Sequence, residues 1–326
     1  MKSLAALRLL ALVVASPVVP AQPQEPISPI PLEVTVDPAK ADLGQRLFED
    51  ARLSARNDRS CATCHPLDAN GMDGLPRPRS YDGKLLLRNT PTVFNVGYNL
   101  FLNWDGAFES LRDLSDKAIT KDTLMANTWP RVISRLKADA DYAARFDRIY
   151  PGRGVAQETV LDALEAFQRS LITPNCRFDR FLRGDPNALT ADELRGYQLF
   201  KSYGCVSCHQ GINVGGNLLQ VFGVFPQAAQ KELARIPPDP GRYGVTSDEL
   251  DRSLFRVPSL RNVAVTAPYF HFGWAATLDD AVRTMGLVQL GRTLSPEETR
   301  LIVQFLGTLT GEFRGRPLQA LTPAAR

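Results

Sequence analysis

Two copies of one five-residue pattern constrain this chain more than anything else in it. They are Cys61-Ala62-Thr63-Cys64-His65 and Cys205-Val206-Ser207-Cys208-His209. Cys-x-x-Cys-His is the attachment signature of c-type haem. The cysteines add to the haem vinyl groups as thioethers, and the histidine on the same turn reaches the iron as the proximal axial ligand. A thiol redox pair or a zinc site also uses Cys-x-x-Cys. Zinc is disfavoured, since a chain with 3 histidines and 5 cysteines has too few further ligands for it. Cys61, Cys64, Cys205 and Cys208 are therefore assigned to two covalent haem c groups, with His65 and His209 on the iron.

Apolar residues make up 44% of the 326, as in an ordinary globular protein. The 38 basic and 35 acidic residues nearly cancel to +3, which gives no footprint for nucleic acid. Residues 1–21 read as a signal peptide: Lys2 and Arg8, an apolar run from Leu9 to Val19, and small residues before Gln22. That run is short for a bilayer, and no later segment is apolar enough to span one. Export to the periplasm is expected. Cys176 is left without a disulfide partner and reads as a buried small residue.

Hydrophobic periodicity makes the class mainly α, with two cytochrome c-like haem domains in tandem, residues 22–180 and 181–326. Helices are expected from Pro38, over Leu111–Ile119, Arg131–Leu136, Tyr142–Ile149 and Thr159–Leu171, and from Thr190 with a Thr190/Glu193 capping box. A last helix starts at Ser295-Pro296 with Glu298 at its third position. Pro66–Leu87 is rich in turns and reads as a loop over the first haem edge. Phe178–Pro186 reads as the bridge between halves, and Lys231–Leu254 as a surface excursion.

The halves repeat one another. Both open on Gly-x-x-Leu-Phe, at Gly44–Phe48 and Gly196–Phe200, and both close on Phe-x-x-[Ser/Thr]-Leu, at Phe167–Leu171 and Phe305–Leu309. Between them Pro91–Val96 matches Pro258–Val263, and an ungapped offset of 167 pairs Gly106 with Gly273 and Ser110-Leu111 with Thr277-Leu278. In that register Met285 stands opposite Ala118, and His271 opposite Trp104. A thioether at Met285 is the expected sixth ligand of the second haem, where His/Met ligation raises the potential. Ala118 binds no metal, so the first haem is five-coordinate, water-bound, or held by Met72, Tyr81 or Lys84. An open iron suits small-molecule chemistry, and a closed one suits electron storage. Trp104 is the candidate electron relay between them.

These residues resemble the bacterial di-haem cytochrome c peroxidase and MauG family, from about Pro38 to Glu312. The marks are Leu43–Phe48, Arg88–Thr92, Trp104-Asp105-Gly106, Cys205–Gly211 with Asn213–Asn217, Val257–Asn262 and Thr266–His271. The resemblance implies that the N-terminal haem, on His65, reacts with hydrogen peroxide. The C-terminal haem, on His209 and Met285, takes electrons from a small cytochrome c or a cupredoxin. It implies Trp104 between the haems and calcium at Asn89, Thr266 and Pro268, whose oxygens suit a hard cation. MauG-type enzymes carry tyrosine at the place of Met285, so the peroxidase branch is the nearer match. The sequence is compatible with a homodimer.

The peroxide pocket departs from that family. A glutamine and a glutamate about ten and twenty residues after the tryptophan are Leu114 and Leu124 here. The phenylalanine before the tryptophan is Asn103, a proline further on is Ala118, and the capping histidine aligns near Tyr81. O–O cleavage needs a positioned acid/base, which leucine cannot supply; Asp113, Asp116 and Asp122 are the neighbouring carboxylates. Three readings follow: a peroxidase reducing hydrogen peroxide to water, a MauG-like oxidase acting on a protein or organic substrate, and a non-enzymatic electron-transfer or sensing cytochrome.

Overall fold

The computed structural model describes residues 25–228, 230–234 and 236–320. The expected signal peptide, residues 1–21, lies outside them. The first half holds α1 (Pro38–Glu49), α2 (Cys61–Cys64), α3 (Leu111–Thr120), α4 (Trp129–Lys137), α5 (Ala140–Ile149) and α6 (Gln157–Ser170). Then come α7 (Arg177–Leu182), α8 (Ala191–Ser202), α9 (Gln230–Leu233), α10 (Tyr243–Thr246), α11 (Leu278–Leu290) and α12 (Pro296–Gly307). Two short antiparallel pairs complete the chain: β1 (Leu219–Val221) with β2 (Leu254–Arg256), and β3 (Glu312–Phe313) with β4 (Arg316–Pro317). The mainly α class is the one observed.

Each half is organised by a crossed helix pair, α1 on α6 and α8 on α12. Asp37 caps α1 by accepting from the amides of Ala39 and Lys40, and Pro38 opens the helix. The Thr190/Glu193 and Ser295/Glu298 capping boxes form as expected at α8 and α12. Gly44 and Gly196 are the crossing points. A Cβ on Gly44 would run into the carbonyl of Ala163, and one on Gly196 into the carbonyl of Leu301. The shared Gly-x-x-Leu-Phe opening thus records a backbone-to-backbone contact.

The repeat is geometric as well as textual. Asn95 and Asn262 both take the left-handed conformation, at φ 59° and 63°. Asn103 and Phe270 do the same at φ 62° and 68°. Leu102 bridges Phe108 as Tyr269 bridges Ala275, and Ser110 and Thr277 cap α3 and α11. Asn95 and Asn262 meet at Thr173 in the connection between halves, their side-chain amides 2.7 and 2.9 Å from its hydroxyl.

Among the described residues two large hydrophobic cores result, with a small third cluster of Val96, Leu102 and Leu111. One runs from Leu43 to Leu171 and the other gathers Phe178, Tyr197, Phe200 and Phe305. The chain ends cross over: Ile27 packs in the second core, while Phe313 and Leu318 pack on the first.

Two segments differ from the expectation. The bridge after Asn175 contains the helix α7, capped by Cys176, whose sulfur accepts from the Asp179 amide at 3.3 Å. Arg261 closes that knot with bonds to Asp179 (2.7 Å), the Cys176 sulfur (3.2 Å) and the Ser28 carbonyl (2.8 Å). Burial pushes the Cys176 thiol up to about 12, so it stays protonated and structural. The stretch Lys231–Leu254 is more than a surface excursion. It carries Asp239 into the molecule and ends in β2, whose Phe255 and Arg256 are buried. Short polar stretches with two prolines in a row show no period from which such burial could be read.

Candidate functional site

The two Cys-x-x-Cys-His turns are alike in how they hold their histidines. His65 Nδ1 lies 3.1 Å from the Gly71 carbonyl, and His209 Nδ1 lies 3.4 Å from the Val214 carbonyl. A carbonyl at Nδ1 fixes the tautomer and leaves Nε2 for a metal. Burial lowers both imidazoles, His209 to about 4, so both are neutral as a ligand must be.

A cavity of about 380 Å³ opens beside the second turn. Cys205, Cys208, His209 and Met285 all line it, as do Trp104, His271, Asn89, Thr266 and Pro268. Its wall is otherwise mostly apolar, with Phe200, Leu260, Val282, Leu294 and Leu306. Thiols, a neutral imidazole and a thioether around one apolar hollow suit a covalently held haem. Met285 comes from α11, whose start Thr277 caps through the Asp280 amide at 3.1 Å. Among the described residues no three His, Cys, Asp or Glu side chains cluster as a metal site. A cation near Asn89, Thr266 and Pro268 would therefore rest on amide, hydroxyl and carbonyl oxygens.

Between the halves lies a network that sequence reading missed. Trp104 donates its indole N–H to the Asn89 carbonyl at 2.9 Å, and the Asn89 amide donates to the His271 carbonyl at 2.7 Å. Trp104 and His271 lie edge to face at 6.2 Å, and His271 stacks on Phe255 at 4.3 Å. Arg88 grips Asp239 with two bonds of 2.7 Å and also bonds Asp105. Burial alone would raise Asp239, but the Arg88 fork and the Gly241 amide hold it below the usual carboxylate range. Only the tertiary fold joins residues 88, 105 and 239, so no local pattern announces them.

Burial holds His271 down at about 4, against the pull of Asp239. The unfolded chain binds a proton near pH 6.5 that the folded one refuses until about pH 4. Stability from this group is therefore whole above the unfolded value and lost as pH falls through that window, at no more than about 1.4 kcal/mol per pH unit. His271→Gln is expected to flatten that slope in thermal melts taken across the window.

The first turn has different surroundings. Cys61, Ala62 and Leu67 pack on the first core. Of the side chains considered as its sixth ligand, Lys84 is exposed and pairs with Asp82 at 3.0 Å. Tyr81 is tied down: its hydroxyl accepts from the Arg56 amide at 2.6 Å, and Arg56 and Arg59 cover its ring. Met72 is buried and lines the cavity shared by Cys205, Cys208, His209 and Met285, so it faces the second turn. Leu114 packs beside Val96, Leu102 and Leu111. Asp113 and Asp122 are exposed, and Asp116 accepts from Trp129 and from Gln157 (3.1 Å). None of the three presents a free, buried carboxylate.

A pair of helical units, each with a c-type haem attachment turn, defines a di-haem cytochrome c. The family model described as di-haem cytochrome c peroxidase matches residues 38–187. The cytochrome c551 peroxidase of Nitrosomonas europaea is 40% identical over 300 residues, covering 92% of this chain and 88% of the relative. The cytochrome c peroxidase Ccp of Escherichia coli is 41% identical over 295 residues, covering 90% of this chain and 63% of the relative's length. A crystal structure of a MauG-like protein associated with microbial copper homeostasis superposes with a TM-score of 0.73 at 27% identity, covering 90% of this chain and 95% of that one. The chain belongs to the di-haem cytochrome c peroxidase family.

Proposed function

We propose that this protein is an exported, periplasmic peroxidase that reduces hydrogen peroxide to water with electrons from a small cytochrome c or cupredoxin. The observation that carries the reading is the common cavity of Cys205, Cys208, His209 and Met285, with Trp104 on its wall. Cys61 and Cys64, and Cys205 and Cys208, hold two haem c groups, which supply iron that passes electrons and, where a coordination place is open, binds peroxide. His65 and His209 bind as neutral imidazoles, each aimed by the carbonyl at its Nδ1. Met285 closes the second site and makes it the entry point for electrons. Trp104, anchored to the Asn89 carbonyl, relays them toward the first. Asn89, Thr266 and Pro268 hold a calcium ion that fixes the two halves against each other. Among the described residues no helix is long and apolar enough to cross a membrane.

Leu114 and Leu124 favour a second reading, an electron-transfer cytochrome without turnover. Beside Leu124 the enclosed hydroxyl of Thr123 has no hydrogen-bond partner and is the nearest protic side chain in sequence. The test is to mix the reduced protein with hydrogen peroxide under anaerobic conditions, following both haems while a reduced small cytochrome is supplied. Rapid donor oxidation is the expected result. Silence at the first haem would sink the peroxidase reading. If the wild type is silent, Leu124→Glu, which places a carboxylate there, is expected to raise peroxide consumption by about 10²–10⁴-fold.

A further inference from the structure

Arg256 is the charged side chain that the cavity wall cannot account for. It is 5% exposed, at the end of β2. Among the described residues, it alone of the Asp, Glu, Lys and Arg side chains lines the cavity shared by Cys205, Cys208, His209 and Met285. It is fixed from the other half: its amide donates to the Trp104 carbonyl at 2.8 Å, and its Nε donates to the Asn103 carbonyl at 2.9 Å. Among the described residues no carboxylate lies within salt-bridge reach and no protein acceptor takes either terminal nitrogen. Asp105, whose charge does act on Arg256, is already bonded to Arg88.

A guanidinium carries five N–H donors in a planar fork shaped for a carboxylate. Burying one with its outer edge unpaired is costly, so a folded chain that does so keeps a place for an anion. The repeat sharpens the point, since Asn89 stands at the corresponding position of the first half. The charge belongs to the second unit alone. We propose that Arg256 is a positioning residue for the second haem, pairing through its terminal nitrogens with a propionate carboxylate of the group attached at Cys205 and Cys208. This rests on the haem assignment above.

The pairing has an electronic consequence. It keeps that propionate ionised and cancels its negative charge near the iron. Because Arg256 is held by Trp104 through its backbone amide and by Asn103 through its Nε, the anchor also ties the second haem to the relay residue of the first half.

The test uses the holoprotein, with covalent haem at Cys205 and Cys208 checked by mass, and reads reduction potentials by spectroelectrochemical titration over a range of pH. In the wild type the potential of the His209 haem is expected to stay flat through the neutral range. Arg256→Gln is expected to shift it negative and to make it rise on acidification, as an unpaired propionate takes up a proton. Arg256→Lys should restore most of the wild-type behaviour. A Gln variant with wild-type potential at every pH would overturn the proposal. So would a wild-type potential that already climbs with acid through the neutral range, a measurement that needs no variant to fold. Absence of haem on Cys205 and Cys208 would instead overturn the haem assignment, and is distinguished by the mass alone.

Discussion

Met285→Ala is expected to lower the reduction potential of the second haem by about 0.1 V or more, within the ~0.8 V that axial ligation spans. A thioether is a soft, neutral ligand that favours the reduced iron, and alanine leaves the place to water or to nothing. Position supports the assignment. Met285 projects from α11 into the cavity that Cys205, Cys208 and His209 share. The repeat puts Ala118 at the same place in the first half, so nature has in effect already made the comparison. The measurement is a spectroelectrochemical titration of both haems in the intact protein. Met125→Leu, which changes a methionine buried in the first core and away from the cavity wall, is the control and should leave the second potential near its original value. An unshifted second potential in Met285→Ala would remove it as a ligand.

Gly196→Ala is expected to cost at least about 1–3 kcal/mol of stability, the range for overpacking a core, because the added methyl meets backbone. Its Cβ would collide with the Leu301 carbonyl and press on Phe305. Neither can step aside without prising α8 from α12, and that pair carries the second core. Gly44→Ala should do the same to the first core through Ala163 and Phe167. Gly307, at the end of α12, has open space where a methyl would go. Gly307→Ala should therefore be neutral or slightly stabilising. Denaturant midpoints of the three variants separate the cases, and equal midpoints for Gly196→Ala and Gly307→Ala would refute the crossing argument.

Much of this architecture was legible because its determinants are local. The capping boxes at Thr190 and Ser295, the apolar stripes of α1 and α6, and the two haem turns are each set by residues close together in the chain. The repeat register was legible because duplication preserves spacing, down to the left-handed asparagines Asn95 and Asn262. It puts Met285 and His271 in correspondence with Ala118 and Trp104 from spacing alone. The inter-domain network was not legible. Arg88, Asp105 and Asp239 are far apart in the chain, and Arg256 looks like any strand arginine until its burial is known. The excursion before β2 hid its role for the same reason, since polarity reads as surface when its buried partner is remote. At the first haem, sequence named Tyr81 and Asp116, but only the fold reveals that both are occupied by other partners.

The exchanged chain ends bear on the order in which the molecule can be completed. Phe313 and Leu318 are among the last described residues, yet they seal the half that is synthesised first. Ile27 is among the first, yet it waits for a core centred on Phe178 and Phe305. Each half therefore completes its packing with residues that lie beyond the other half in the chain, so the last contacts of both form only when the two are together.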